Sequence, residues 1–473
     1  MGAGFETIGT AAVQAQRTRD MNRTMALQSA DIREQHEKIW RPKLLFLAWY
    51  FPPARSVGCI RAWNIAKYLA RLGWEVTVVT PAPSLRRDMD NPQQVTAKLE
   101  REGIRLIPTD HRWRVLAADS LRCWNQGFGW ILGGACRRVA RYFNVESEIG
   151  WTKAVERACS SLTAEDVDVI LATAPPFVSF SLAKRLSERL GRPYILDYRD
   201  PWSGNPINTH YNDSVVKKEA NILTGSAGVT IVSESWRRAM DQRFNVGLKL
   251  HVLTNGYDPE ELAAVKPYDF GHFAIVYAGS LYPPKRSITP IMAALSQLKE
   301  LTIFEGKQWV FHYYGRDTAH VLEEAQRFRV SERVVTHGWV SRSTVLSAVR
   351  GAAVAIAITS VQHSGGVEDQ GWVAGKIFET IGLGTPILIV APPNSDIAAI
   401  SQTAGLSQSF SSDNISGIAG FFVKALNGET PKSKNPRLYE WPYIIKKLDG
   451  ILRQAITDTR HERCTGLPDS PPS

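Results

Sequence analysis

The sequence predicts an α/β protein made of two tandem Rossmann-like domains. Apolar segments of strand length recur along the chain, as is typical of parallel strands that are buried on both faces. Helical segments separate them, so the pattern alternates strand and helix as in βαβ units. The chain has 473 residues, too many for one hydrophobic core, which favours two domains with extensions.

The first domain is predicted to begin with the strand KLLFLAWY at Lys43. The loop FPPARSVGCI follows, and apolar residues at helical spacing then mark a helix that stops at Gly73: Ala62, Ile65, Ala66, Leu69 and Leu72. EVTVVTP is the next strand and completes a βαβ unit. The loop of this unit follows the carboxyl end of its first strand, where open α/β sheets place their ligands.

The same alternation continues along the chain. Further strands of the first set are DVDVILATAPP, PYILDYRDPW, GVTIVSES and KLHVLTNGYD. The second set is FAIVYAGSLYPPKRS, WVFHYYGRD, RVVTHGWV, AVAIAIT and PILIVAPP, with a helix that starts at Thr289 and Pro290. We therefore predict an N-terminal domain over residues 42–260 and a C-terminal domain over residues 261–437.

Extensions are predicted on both sides of these domains. Residues 1–41 are rich in Ala, Gln, Arg and acids and have little apolar periodicity, which indicates an extension outside the fold. The segment LYEWPYIIKKLDGILRQAI predicts a C-terminal helix at 438–458 that returns to the first domain. Residues 459–473 end in PDSPPS and are predicted to be a disordered tail.

The composition is that of a soluble globular protein, with 44% hydrophobic and 22% charged residues. No apolar run reaches the roughly 20 residues needed to span a bilayer, and the start of the chain does not resemble a secretory signal. Five cysteines are scattered, and neither they nor the ten histidines show metal-ligand spacing. These features predict a cytoplasmic protein that needs no metal.

The net charge of +10 is concentrated in one segment. Residues 101–143 hold eight arginines against three acids, interleaved with Trp, Tyr and Phe. This mixture suits a segment on an anionic membrane surface, which would make the protein peripheral to the inner face of a membrane. The alternative is an arginine-rich pair of helices that packs its aromatic rings into the domain. Nucleic acid is not an expected partner, because no nucleic-acid module accompanies the segment.

The stretch WVAGKIFETIGLGTPIL, residues 372–388, is the most informative motif. It predicts a helix that carries Lys376 and Glu379 three residues apart and ends at Gly384, before an apolar strand. The carboxylate of Glu379 could accept both hydroxyls of a ribose. The alternative is a surface helix whose charged pair stabilises only its own turn.

This stretch resembles the nucleotide-binding signature of family 4 glycosyltransferases with the GT-B fold, in which two Rossmann-like domains face a central cleft. The signature has two glutamates, and Glu379 matches the second of them. The first falls on Gly371, so that Glu368 or Asp369 from the same loop are the candidate substitutes. The resemblance extends over about residues 43–456.

Two motifs of the first domain add to the resemblance. The loop FPPARSVGCI is similar to the family's opening loop, which implies substrate contacts at Gly58 and Arg61; a turn glycine and a surface charge are the alternative. ATAPP and DYRDPW resemble a subgroup pattern of enzymes that extend lipid-linked surface sugars. Arg199 stands where many members have a histidine, and we predict Asp200 and Arg199 as catalytic candidates, unless Arg199 only pairs with its neighbouring aspartates.

In the second domain, GSLYPPK resembles the family's phosphate-binding turn. The resemblance implies donor contacts at Gly279 and Ser280, with Ser280 in place of an arginine, and a catalytic cation at Lys285 for the leaving diphosphate. A solvated pair formed by Lys285 and Arg286 is the alternative.

The resemblance implies a retaining hexosyltransferase of polysaccharide biosynthesis. Its partners would be a UDP- or GDP-linked sugar, which serves as substrate and not as cofactor, and an acceptor glycan or polyprenyl-linked sugar. Two alternatives stay open. One is a nucleotide-sugar 2-epimerase with the same architecture, and the other is a non-catalytic, membrane-associated relative.

Overall fold

The computed structural model describes residues 40–83, 91–110, 151–205, 213–299, 308–361, 366–406 and 408–465. The predicted extension 1–41 therefore lies outside the described residues except for its last two. Residues 111–143, which are most of the basic aromatic segment 101–143, also lie outside the described residues.

The first domain contains a seven-stranded parallel sheet in the order β3-β2-β1-β4-β5-β6-β7. Its strands are β1 Lys43–Ala48, β2 Glu75–Pro81, β3 Arg105–Thr109, β4 Val169–Ala174, β5 Tyr194–Tyr198, β6 Gly228–Ile231 and β7 Leu250–Val252. The central strands β1, β4 and β5 are almost entirely buried, since helices cover both faces of the sheet. This burial explains their near-continuous apolar sequences.

Helices connect these strands. They are α1 Val57–Arg71, α2 Pro92–Arg101, α3 Trp151–Ala158, α4 Val178–Leu190, α5 Asp213–Thr224 and α6 Glu234–Phe244. The α4 helix ends where Gly191 adopts a left-handed conformation, with φ of 60°. The strand β3 lies at the start of the basic aromatic segment. Neither of the two interpretations of this segment, a membrane-surface segment or a pair of helices, included a strand. The strand β3 pairs along β2 and extends the sheet by one edge strand.

The second domain contains a six-stranded parallel sheet in the order β10-β9-β8-β11-β12-β13. Its strands are β8 Phe273–Ala278, β9 Trp309–Tyr314, β10 Val334–Thr336, β11 Val354–Ile358, β12 Ile387–Val390 and β13 Ser409–Phe410. The helices of this part are α7 Pro259–Ala263, α8 Thr289–Lys299, α9 Thr318–Arg327, α10 Arg342–Gly351, α11 Val367–Gln370, α12 Lys376–Leu383, α13 Asp396–Thr403 and α14 Ile415–Leu426. Two sheets covered by helices confirm the predicted pair of Rossmann-like domains.

The C-terminal helix α15, Trp441–Thr465, packs against the first domain. Its buried side chains join the core formed by β1, β2 and α1, among them Trp441, Ile445 and Leu448. The prediction that residues 459–473 are disordered was wrong for residues 459–465, which continue the helix. The sequence between Gly450 and Gly466 contains neither glycine nor proline, and Arg460 lies over the ring of Trp40 at 4.6 Å. Among the helices of the described ranges, none is long and apolar enough to cross a membrane.

The two domains also contact each other directly. The backbone N–H and the hydroxyl of Ser235, at the start of α6, donate to the carboxylate of Asp396 at the start of α13, at 2.8 and 3.0 Å. Next to this contact, Trp236 of the first domain lies against Gly371 of the second. These contacts hold the two sheets around a shared cleft.

Candidate functional site

A cleft of about 850 Å³ separates the two domains and receives side chains from both. The loop after β1 and the start of α1 line its first-domain wall. The second-domain wall is formed by segments that follow the carboxyl ends of parallel strands: Gly279 and Ser280 after β8, Gly315 after β9, and 338–343 after β10. This is the edge of an open α/β sheet where ligands bind.

Glu379 lies in this cleft on α12, which ends at Gly384 in a left-handed conformation, as the sequence predicts. The carboxylate is 19% exposed and forms an ion pair of 2.6 Å with Arg342. Arg342 also donates two hydrogen bonds to Glu261, at 2.8 and 2.9 Å. Burial lowers the pKa of Arg342, but the carboxylates of Glu379 and Glu261 raise it more, so that the guanidinium stays charged.

Lys376, one helical turn before Glu379, also lines the cleft. Its ammonium group donates to the carbonyl oxygen of Ala278 at 3.0 Å and lies 3.5 Å from the centre of the Tyr277 ring. Burial, and next the positive charge of Arg286, hold the pKa of Lys376 well below its usual range.

The turn after β8 places Gly279 and Ser280 against this lysine. Gly279 has φ of +138°, and a Cβ atom there would lie 3.2 Å from the Lys376 nitrogen. The turn is fixed by Asp317, which accepts hydrogen bonds from the backbone N–H of Leu281 at 2.9 Å and from the Tyr313 hydroxyl at 3.1 Å. Glycine is therefore required for both the backbone conformation and the close approach of the lysine.

Arg286 is the second cation at this turn and is buried. Its guanidinium lies 4.2 Å from the centre of the Trp372 ring and 5.4 Å from that of Tyr282, and it donates to the Thr359 carbonyl at 3.3 Å. Burial lowers the pKa of Arg286. In the described part of the chain, neither Arg286 nor Lys376 forms an ion pair with a carboxylate, and aromatic rings contact both cations instead.

The structure does not place Lys285 in the cleft, contrary to our expectation for a diphosphate cation. Its ammonium group lies 3.1 Å from the carboxylate of Asp369, which is buried. Asp369 is thus held by Lys285 and does not substitute for the missing glutamate. Glu368 lies on the short helix α11, and its side chain is outside the described residues.

Gly371 also has a structural reason to lack a carboxylate. A Cβ atom at this position would overlap the indole ring of Trp236. The ring comes from α6 of the first domain, which packs against α11. A glutamate at residue 371 would therefore force the two domains apart at this contact.

The prediction that Arg61 binds substrate was wrong. Its side chain is buried and forms a bidentate ion pair with Asp197, at 2.6 and 3.0 Å. The remaining donors bind the Leu253 and Thr254 carbonyl oxygens, both at 2.9 Å, and the Asn255 side chain at 3.2 Å. Arg61 therefore fastens α1 to the segment that leads from the first domain into the second.

Arg199 and Gly58 meet at the carboxyl end of β5, where Arg199 donates to the Gly58 carbonyl at 2.9 Å. Arg199 also donates to the carbonyl oxygens of Ala174 and Pro175. Burial lowers the pKa of Arg199, against the opposing charge of Asp200, and burial raises the pKa of Asp200. Neither Arg199 nor Asp200 lines the cleft that contains Glu379.

The sequence analysis did not identify several residues of the second-domain wall. Arg342 binds Glu379, and Trp339 is 64% exposed with Arg316 lying 4.3 Å from its ring centre. Tyr314 stacks on His337 with 4.2 Å between ring centres. All lie at or just after the carboxyl ends of β9 and β10, so the carboxyl-end rule applied to these strands would have indicated them.

Comparison with solved structures identifies the fold. A sucrose-phosphate synthase from Thermosynechococcus elongatus has a TM-score of 0.60 at 13% identity, and the match covers 88% of this chain and 100% of that one. A glycosyltransferase from Rickettsia africae has a TM-score of 0.56 at 12% identity, covering 88% and 99%. The Anabaena protein HepE, solved with UDP and glucose, has a TM-score of 0.51 at 15% identity, covering 90% and 99%. The fold is therefore that of the GT-B glycosyltransferases.

A family model matches much of the first domain. Residues 60–256 match the model of the glycosyl transferase 4-like domain. This match and the GT-B fold confirm the resemblance to family 4-like glycosyltransferases that the motifs predicted, and they support a glycosyltransferase. No curated protein matches the sequence.

Proposed function

We propose that this protein transfers a hexose, with retention of configuration, from a UDP- or GDP-linked donor to a lipid-linked glycan in polysaccharide biosynthesis. The observation that carries the proposal is the pair of cations beside the turn after β8. Lys376 contacts the ring of Tyr277, and the charge of Arg286 acts on both Lys376 and Tyr277. Neither cation has a carboxylate partner among the described residues.

The diphosphate of a sugar nucleotide would supply the negative charge that the two basic side chains near this turn lack. Its diphosphate carries about two negative charges, which the two cations and the backbone N–H groups of the turn would neutralise. The charge of the leaving nucleoside diphosphate grows as the bond to the sugar breaks, so cations fixed at this point favour the transition state. We assign the contact with the diphosphate to Lys376 in place of Lys285, which Asp369 holds. Arg286 is buried and does not line the cleft, so it would contribute through its charge.

The ribose of the donor would bind Glu379, three residues further along the same helix. Arg342 occupies one oxygen of this carboxylate, Oε1, at 2.6 Å. A carboxylate has two oxygens that accept hydrogen bonds, so Oε2 can accept ribose hydroxyls while Arg342 holds Glu379 in its orientation. One helix would thus position both the ribose and the diphosphate.

The acceptor would enter from the loops of the first domain. The carboxyl ends of β1 and β5 carry Gly58, Arg199 and Asp200, and Arg199 could hold the diphosphate of a lipid carrier. Retention would follow from attack on the face of the leaving group, with the departing phosphate taking the proton of the acceptor. The mechanism that we propose needs positioning and charge stabilisation, and no metal.

Mass spectrometry of a reaction with a panel of sugar nucleotides and a membrane lipid extract tests the proposal. We expect nucleoside diphosphate release that depends on one donor and on the extract, with a lipid that gains one hexose. Lys376→Met should lose this transfer, whereas Lys299→Met, at an exposed position on α8, should keep it. Conversion of one sugar nucleotide into another without lipid would indicate an epimerase. Folded protein that binds no sugar nucleotide would indicate a non-catalytic relative.

The membrane part of the proposal has its own test. Residues 101–143 would hold the enzyme at an anionic cytoplasmic surface, close to a lipid-linked acceptor. Sedimentation with anionic vesicles should be strong at low salt and weak at high salt, and uncharged vesicles should not bind. Equal binding to both kinds of vesicle would contradict this role.

A further inference from the structure

We infer that the cleft lysine Lys376 takes up a proton from solvent when a sugar nucleotide binds, so that donor affinity depends on pH through this one residue. The inference rests on the proposed function, because it needs a diphosphate at the turn after β8. Beyond that function, Lys376 would have different protonation states in the free protein and in the donor complex.

The free site is unfavourable for an ammonium group. An ammonium group has three donors, and Lys376 uses one of them on the Ala278 carbonyl at 3.0 Å. Its other contact is the face of Tyr277, which attracts a cation but does not neutralise it. The guanidinium of Arg286 adds a second positive charge that is permanent. These surroundings shift Lys376 towards the neutral amine when no ligand is bound.

The neighbouring titratable groups determine whether the proton could go to a residue other than Lys376. On its own helix the nearest titratable group along the sequence is Glu379, which Arg342 pairs. Around the Tyr277 ring that Lys376 contacts, the charged or titratable groups are Arg286, Tyr313, Tyr282 and Asp317, and Asp317 accepts a hydrogen bond from the Tyr313 hydroxyl at 3.1 Å. Burial raises the pKa of Tyr277 and Tyr313 above their usual range, so these hydroxyls stay protonated. Arg286 stays charged at any pH of interest.

A diphosphate at this turn reverses the balance. An anion within about 4–6 Å favours the charged form of an amine and outweighs the repulsion from Arg286. The amine of Lys376 then gains one proton from the buffer, and no bond of the donor changes. The ammonium so formed is the cation that neutralises the leaving group, which links donor binding to preparation of the site for bond cleavage.

The sign of the pH dependence follows from this linkage. The bound form holds more protons than the free form, so affinity falls as pH rises between the pKa of Lys376 in the free protein and its higher value in the complex. One proton taken up per donor corresponds to a loss of about tenfold in affinity per pH unit in this range.

Calorimetry of the full-length protein with UDP-glucose and with GDP-mannose tests the inference. Both probes carry diphosphate diesters without a phosphate group that titrates near neutral pH. Titrations at about pH 8 in Tris and in HEPES, whose ionisation enthalpies differ, give the number of protons taken up; we expect close to one for whichever probe binds. Lys376→Arg should bind without proton uptake, because a guanidinium is already charged. Lys299→Arg, far from the turn, should keep the uptake of the unmodified protein.

The outcomes separate the two proposals. Binding with no proton uptake in the unmodified protein would overturn the inference and leave the proposed function intact. Uptake that persists in Lys376→Arg would also overturn it, since the proton would then go elsewhere. If neither probe binds to folded protein, the proposed function fails, and the inference fails with it.

Discussion

Glu219 gives the sharpest stability prediction, because it is a fully buried carboxylate with no cationic hydrogen-bond partner among the described residues. One oxygen accepts from the backbone N–H of Ser203 at 2.9 Å and from its hydroxyl at 2.5 Å. The other oxygen and the Tyr198 hydroxyl are buried without a hydrogen bond within the described residues. Burial raises the pKa of Glu219 from 4.5 to about 7, against the opposing hydrogen bonds from Ser203.

The magnitude and sign follow from this shift. A difference of about 2.5 pKa units between folded and unfolded states corresponds to about 3 kcal/mol. The folded pKa is the higher one, so the protonated form is favoured by folding. The free energy of unfolding contributed by Glu219 is full below about pH 4.5 and is lost as the pH rises to about 7. Glu219→Gln keeps an acceptor for Ser203, adds a donor facing Tyr198 and removes the titration.

We therefore expect Glu219→Gln to stabilise the first domain by about 3 kcal/mol at about pH 8 and by less than about 1 kcal/mol at about pH 5. Urea unfolding, followed by the fluorescence of Trp202 and its neighbours, gives both values if the urea dependence of the first transition is unchanged. The control is Glu188→Gln on α4, where the side chain is 63% exposed and the difference should not change with pH. A stability difference for Glu219→Gln that is the same at both pH values would refute the reasoning.

Three further substitutions test the site and its supports. Arg61→Met should destabilise the protein by roughly 3–5 kcal/mol in thermal or urea unfolding, because it leaves Asp197 buried without its cation; a change under about 1 kcal/mol would contradict the buried pair. Gly371→Glu should lower stability and leave donor affinity no better, since the new side chain overlaps Trp236; calorimetry that shows tighter donor binding would disprove this. Glu379→Gln should weaken sugar-nucleotide binding by roughly 10- to 100-fold through lost charge-assisted hydrogen bonds, and unchanged affinity would remove Glu379 from the ribose site.

The sequence predicted the fold well because the fold depends on short-range patterns. Buried parallel strands are continuous apolar runs, and every strand named in the sequence analysis is present in one of the two sheets. The break at Gly384 was equally predictable, because a glycine after an apolar helix face adopts the left-handed conformation that ends helices. The strand β3 was missed, since its sequence RLIPT is short, half-buried and contains a proline.

The site was harder to predict, because ion pairs between distant residues decide which charges are available. Lys285 and Asp369 are 84 residues apart, and their pairing is invisible in a linear motif. Arg61 and Asp197 are 136 residues apart and show the same difficulty. The motif indicated Lys376 as a substrate contact, but not that its partners are a backbone carbonyl and an aromatic ring. The family signature therefore predicts which residues lie near the cleft. Tertiary contacts determine which of their charged groups are available to a substrate.

The departures from the family signature bear on the choice between a transferase and a non-catalytic relative. A protein that had lost its donor site would be free to neutralise the cleft, because an unpaired buried cation costs stability. Here Lys376 and Arg286 remain basic side chains without carboxylate partners among the described residues, near the turn where Ser280 replaces an arginine. Gly371 is explained by the Trp236 contact between the domains and not by decay of the site. A diphosphate site requires basic groups that no carboxylate compensates, and the permanent charge of Arg286 with a lysine that can gain a proton on binding meets this need near the carboxyl end of β8. This arrangement favours the active enzyme.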